Sequence, residues 1–130
     1  MLYEDFDSKR KLDGEEVFTS LVGEEIISNL NQKRELREYQ KEALGRFNFY
    51  FNGYRQKQFP AQLLFRMATG SGKTLIMAAN ILALYQKGYR NFIFFVNSTN
   101  IIEKTKDNFL NQQSPKYIFN QKIKFGEKEV

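Results

Sequence analysis

Two glycines, a lysine and a threonine in Met67-Ala68-Thr69-Gly70-Ser71-Gly72-Lys73-Thr74 have the types and spacing to hold a phosphate. The generic phosphate loop is G-x-x-x-x-G-K-[ST], and this run meets its last three positions, with Met67 where the first glycine would stand. Each residue has a physical task. Gly70 and Gly72 let the backbone bend so that successive N–H groups form a nest for anionic oxygens. Lys73, the expected catalytic cation, brings positive charge to the β- and γ-phosphates, and Thr74 offers its hydroxyl to Mg²⁺. Thr69 and Ser71 complete the expected nucleotide-contacting set. A Gly-Ser turn that merely caps a helix is the simpler alternative, but Thr-Gly-Ser-Gly-Lys-Thr between a strand and a helix is far more specific than two glycines alone.

On either side of the loop, Gln62 to Arg66 reads as a strand leading in, and Lys73 to Lys87 as an apolar helix leading out, with Gly88 as its stop. Phe92 to Val96 is five apolar residues in a row, as a parallel strand buried on both faces requires. Asn100, with Glu103 three residues on, suggests the capped start of another helix ending near Asn111. Tyr117 to Phe125 holds a candidate last strand. Upstream, Glu35 to Asn52 spaces Leu36, Tyr39, Ala43, Leu44, Phe47, Tyr50 and Phe51 on one helical face, with Glu42 and Arg46 as an i,i+4 pair. Glu24 to Leu30 reads as a brief helix. Residues 1–23 are polar, acidic and without clear period, an extension with a short strand at Glu16 to Leu21 at most. The succession of strand, loop, helix, strand, helix and strand is a βαβ progression. It predicts an α/β fold in which helices flank a parallel sheet.

Composition narrows the chemistry further. The chain of 130 residues has no cysteine and no histidine, which excludes disulfides, thiol catalysis and the commonest general base. Residues 1–30 hold eight acids and three bases, whereas the remaining hundred hold seven acids and seventeen bases. A basic body suits a polyanionic partner, although solubility alone accounts for such an excess equally well. No apolar tract approaches a membrane span, no signal-peptide order appears at the start, and a cytoplasmic location without membrane attachment is expected.

Three further groups carry double readings. Gln40 can donate and accept at once, which fits the N6 and N7 edge of adenine. From its pentapeptide alone, an exposed helical glutamine is the simpler reading, and Arg37 reads as a solvated charge. Ser98 and Thr99 follow the Phe92 to Val96 run, where ligands gather in open α/β sheets, and could contact a nucleic-acid phosphate or simply cap a helix. The thirteen Phe and seven Tyr read mainly as core, with Tyr85 and Phe109 structural. After the loop the only acids are Glu103, Asp107, Glu127 and Glu129, and none ends an apolar strand as a Mg²⁺-holding acid would.

Leu36-Arg37-Glu38-Tyr39-Gln40, Met67 to Thr74 and Phe92 to Asn108 together resemble the first RecA-like motor domain of superfamily 2 helicases and translocases. Within that group they are similar to the DEAD/DEAH-type helicase domain of the Res subunit of type III restriction enzymes. The likeness runs from about residue 33 to about residue 125. It implies that Gln40, with Arg37, reads the adenine of ATP, that Thr69 to Thr74 hold its phosphates and Mg²⁺, and that Ser98 and Thr99 touch a DNA strand. Double-stranded DNA, a second motor domain and a nuclease domain in the same polypeptide, and a modification or specificity subunit are the implied partners. Residues 1–32 are then an acidic N-terminal extension, and residues 33–130 the N-terminal part of an ATP-binding domain. That domain is incomplete at its C-terminus, because the acidic D-E-x-x motif is missing. The 130 residues alone are expected to be inactive. An RNA helicase, a small-molecule kinase using the same loop, and an interaction module with a vestigial loop are the alternatives.

Overall fold

Helices form wherever the chain can satisfy its own backbone, and they dominate the computed structural model, which describes all 130 residues. In order these are α1 (Leu2–Asp13), a 3₁₀ turn (Thr19–Leu21), α2 (Glu24–Asn29), α3 (Glu38–Asn52), α4 (Lys73–Gln86) and α5 (Thr99–Leu110). Two short strands, β1 (Lys124–Phe125) and β2 (Lys128–Glu129), follow and pair antiparallel. The chain divides into two compact units. The first comprises Met1–Gly23 and Leu36–Lys73, the second Glu24–Glu35 and Thr74–Val130.

In the first unit, residues expected to be an irregular extension form α1. Its acids Glu4 and Asp5 lie in the first turn and its bases Arg10 and Lys11 in the last, each opposite in sign to the helix end it sits on. Only Phe6 of this helix is buried, so its apolar stripe is too narrow to show as a period. Charge supplies the rest of its docking. Asp7 accepts from Arg46 at 2.6 Å, and Arg10 donates to both oxygens of Glu42 at 2.9 and 3.1 Å. The pair predicted between Glu42 and Arg46 forms as well, at 2.7 Å. The expected strand at Glu16 to Leu21 is instead a turn and the 3₁₀ segment, which seats Phe18 with no exposure at all. There α3 comes so close that a Cβ on Gly45 would stand 1.8 Å from the Phe18 carbonyl oxygen. Around Phe18 and Phe6 an aromatic cluster closes, with Phe6–Phe49 and Phe6–Tyr54 ring centroids both 5.5 Å apart. Both contacts are edge-on, the geometry that aromatic quadrupoles favour.

Residues 62–67 lead from this cluster to the loop. Leu63, Phe65 and Met67 are half-buried, and Phe65 lies 6.0 Å from the Phe47 ring. The alternate residues Gln62, Leu64 and Arg66 are exposed, Leu64 to 90%.

In the second unit, α4 buries Leu75, Ile76, Ala78, Ala79, Leu82 and Ala83. Asn29, 2% exposed, has both its donors and one acceptor site engaged: its Nδ2 donates to the Glu25 and Lys124 carbonyls, and its Oδ1 accepts from the Lys124 N–H at 2.7 Å. Leu30 bridges Phe119 antiparallel, so the last strand expected within Tyr117 to Phe125 is reduced to this bridge and to β1. Tyr85 stacks on Phe125 at 5.8 Å and Phe109 meets Phe119 at 5.4 Å, the structural roles expected of both. The N-cap of α5 is Ser98 rather than Asn100, since Ser98 is the last residue in extended conformation. Three capping residue types in three consecutive positions, Ser98, Thr99 and Asn100, made the sequence ambiguous here.

The expected parallel sheet is not seen; the one sheet is the antiparallel pair of β1 and β2. Residues 62–67 and 92–96 make no backbone hydrogen bond to any other segment and are not strands. A helix closes its hydrogen bonds within itself, but a strand exists only with a neighbour, and neither stretch has one. Residues 92–95 nonetheless alternate in exposure, at 40, 80, 42 and 85% for Phe92, Ile93, Phe94 and Phe95. No helix is long and apolar enough to cross a membrane.

Candidate nucleotide-binding site

The loop is shaped by backbone conformations that only glycine adopts readily. Gly70 has φ of 76° and Gly72 of 83°, and no non-glycine residue of the chain has positive φ. A turn closes behind them where the Ser71 N–H donates to the Ala68 carbonyl at 3.2 Å. Gly72 carries a second constraint, because a Cβ there would stand 2.3 Å from Gln40 Nε2. At Gly70 the space is open, and backbone conformation alone demands glycine. Directly after Gly72, Lys73 opens α4. The first N–H groups of any helix have no partner within it.

Gln40 connects α3 to this loop. Its Oε1 accepts from the Arg37 N–H at 2.9 Å, capping the start of α3, and its Nε2 donates to the Ser71 carbonyl at 2.9 Å. At 5% exposure it is buried, so the reading of Gln40 as an ordinary exposed helical residue is overturned. One amide hydrogen and one lone pair remain to it.

Arg37 and Thr69 are exposed, as is Lys73. An open cleft of about 590 Å³ runs along Arg37, Tyr39, Arg66 and the loop from Met67 to Ser71. Glu42 and Arg46, also on its wall, are already paired with Arg10 and Asp7, whereas Arg37 and Arg66 hold no ion pair. Ser71 Oγ is buried without a hydrogen-bond partner. Inward-bending glycines, free N–H groups, an exposed lysine, two unpaired guanidinium groups and an unsatisfied hydroxyl fit a polyphosphate. Thr74, half-buried, is the first residue of the second unit's Thr74–Val130 segment. Ser98 and Thr99 also belong to that unit, as the N-cap and first residue of α5. The Ser98 hydroxyl makes no capping bond.

One residue at the loop escaped the sequence. Tyr39 counts in the helical period as part of the apolar face, yet it is 43% exposed and its hydroxyl donates to the Ser71 carbonyl at 2.9 Å. Its place directly before Gln40 was the only signal.

Loop and cleft have the shape and the donors to hold a phosphate, and likeness to known proteins shows the family. The family model described as "Type III restriction enzyme, res subunit" matches residues 33–130. The chain belongs to that family, and membership implies a phosphate-loop NTPase fold. It is similar to the probable type III restriction-modification enzyme HindVIP Res subunit of Haemophilus influenzae, 45% identical over 103 residues. That alignment covers 75% of this chain and 20% of the relative, so the chain spans about a fifth of the length of the curated protein it matches. No solved structure matches it.

Proposed function

We propose that this chain is the ATP-binding part of an ATP-dependent DNA translocase or helicase subunit of a restriction system. Residues 33–130 form the N-terminal part of a RecA-like motor domain, and residues 1–32 an extension before it. One observation carries the reading: Ser71 sits between two glycines at positive φ, which lead directly into the first residue of α4. Bound ATP–Mg²⁺ would supply the transferable phosphoryl group and the metal's charge. The backbone N–H groups of Gly70 and Gly72 and the unpartnered Ser71 hydroxyl would donate to phosphate oxygens, Lys73 would neutralise the β- and γ-phosphates, and Thr74 would offer its hydroxyl to Mg²⁺. Gln40 presents its remaining donor and acceptor to adenine, with Arg37 and Thr69 alongside.

Ser98 and Thr99, at the start of α5, contact the backbone of duplex DNA. A second motor domain and a nuclease domain of the same polypeptide, with a modification subunit, complete a cytoplasmic assembly. Paired with further segments of the whole protein, residues 62–66 and 92–96 would become strands of its parallel sheet. Their alternating exposure supports this, since one face is partly covered and the other bare.

The test is titration calorimetry of the 130-residue chain with ATP–Mg²⁺. Binding without turnover is expected, because no acid ends an apolar strand. Lys73→Ala should weaken binding by about tenfold or more, the worth of a charge-assisted bond. Saturable binding that ignores Lys73→Ala would sink the assignment of the loop.

A further inference from the structure

We infer that Tyr39 is a positioning residue for the phosphate loop, holding the Ser71–Gly72 peptide in the orientation that presents the Gly72 N–H to the ligand. The inference rests on the nucleotide reading above. A carbonyl oxygen has two lone pairs. At Ser71 both are taken from α3, by Tyr39 Oη and Gln40 Nε2 at 2.9 Å each. A trans peptide holds its N–H antiparallel to its C=O. With the Ser71 carbonyl tied toward α3, the Gly72 N–H of the same plane faces away from α3.

Such a device is needed here. Glycine populates both signs of φ with little preference, so a peptide next to Gly72, two residues after Gly70, has no intrinsic reason to keep one face outward. Hydrogen bonds from a rigid helix supply that reason. Gln40 is itself fixed by the cap it makes with Arg37, which leaves Tyr39 as the second, independent anchor. Packing does not explain the tyrosine. Tyr39 is 43% exposed and stacks on no other aromatic, so the hydroxyl is its specific contact, and a phenylalanine would serve equally were the ring alone required.

Tyr39→Phe removes that hydroxyl and nothing else. In the 130-residue chain the variant should still fold, melting within about 5 °C of wild type without nucleotide, the shift that loss of one exposed hydrogen bond allows. It should nevertheless bind ATP–Mg²⁺ roughly three- to tenfold more weakly, as loss of one orienting hydrogen bond permits. The Gly72 amide resonance provides a readout that a merely structural role would not move. Its shift on adding saturating ATP–Mg²⁺ should be large in wild type and reduced in Tyr39→Phe. Equal affinity and an equal Gly72 shift in the two proteins would overturn the role of Tyr39 while leaving the nucleotide site intact. Weaker binding with an unchanged Gly72 shift would overturn it too. Failure of the wild type itself to bind ATP–Mg²⁺ would remove the nucleotide reading, and this inference with it.

Discussion

The acidic N-terminal segment and the run Phe92 to Val96 reverse what their sequences announce. Residues 1–23 carry no clear period, yet they hold Phe18, which has no exposed surface, and an α1 bound to α3 by two ion pairs and an aromatic cluster. Phe92 to Val96 has five apolar residues in succession, yet Ile93 and Phe95 are 80% and 85% exposed and no backbone bond joins the run to a neighbour. Apolar content is therefore a poor guide to which segment is packed. A helix with one anchoring phenylalanine and two well-placed charges can dock, because its backbone needs nothing from elsewhere. A strand rich in phenylalanine cannot, because its backbone is satisfied only by a partner strand.

The sharpest way to break this contrast is at Gly45. A Cβ there would stand 1.8 Å from the Phe18 carbonyl oxygen, which forces the N-terminal segment off α3. Gly45→Ala should destabilise the first unit by about 3 kcal/mol or more, at the upper end of overpacking penalties. Denaturant melts would check it. A loss below about 1 kcal/mol, less than overpacking of a closed site costs, would mean that residues 1–23 are not packed there.

A smaller effect is expected at the ion pairs. Arg46→Met keeps most of the aliphatic length but strands Asp7 and leaves Glu42 to Arg10 alone. The cost should be about 1–3 kcal/mol, that of losing hydrogen bonds to charged groups. The same pairing makes stability depend on acid. The hydrogen bond from Arg46, ahead of the charges of Arg46, Arg10 and Lys11, holds the Asp7 carboxyl below the usual aspartate range. A depressed folded pKa contributes stability in full above the ordinary aspartate value near 4, and loses it as pH falls through the folded value. The melting temperature of the wild type should thus fall steeply below about pH 4, and the slope should flatten in Arg46→Met. In the second unit Asp107 is lowered in the same direction by the Ser114 hydroxyl and then the Asn111 amide, so some acid dependence persists in the variant.

The smallest effect belongs to the bare run. Phe95 is 85% exposed and has little burial to lose. Phe95→Lys should therefore change stability by no more than about 0.5 kcal/mol, the usual range for surface substitutions. Sedimentation should also show less self-association, since an uncovered apolar strand edge is a pairing hazard. A loss above about 1 kcal/mol, outside that surface range, would show that the run is covered.

Part of this was legible in advance. The loop was, because the need for positive φ at Gly70 and Gly72 and for a cation next to them is written into consecutive residues. The helices α3 and α4 were, to within three residues at each end, because apolar spacing and breakers are local. The start of α5 slipped because Ser98 and Asn100 are both good caps. Gln40 was legible as a donor–acceptor but not as buried, since its partners are the Arg37 N–H and a carbonyl 31 residues away.

By itself, then, the order of residues determined the conformations and charges that act over a few neighbours: the glycine turn, the lysine after it and the helices that follow. Only the tertiary structure decided that α1 exists as a docked helix, that Tyr39 and Gln40 share the Ser71 carbonyl, and that the apolar run has no strand beside it. Each of these depends on groups brought together from distant parts of the chain, and a hydrogen bond or an ion pair leaves no trace in the spacing of one partner alone.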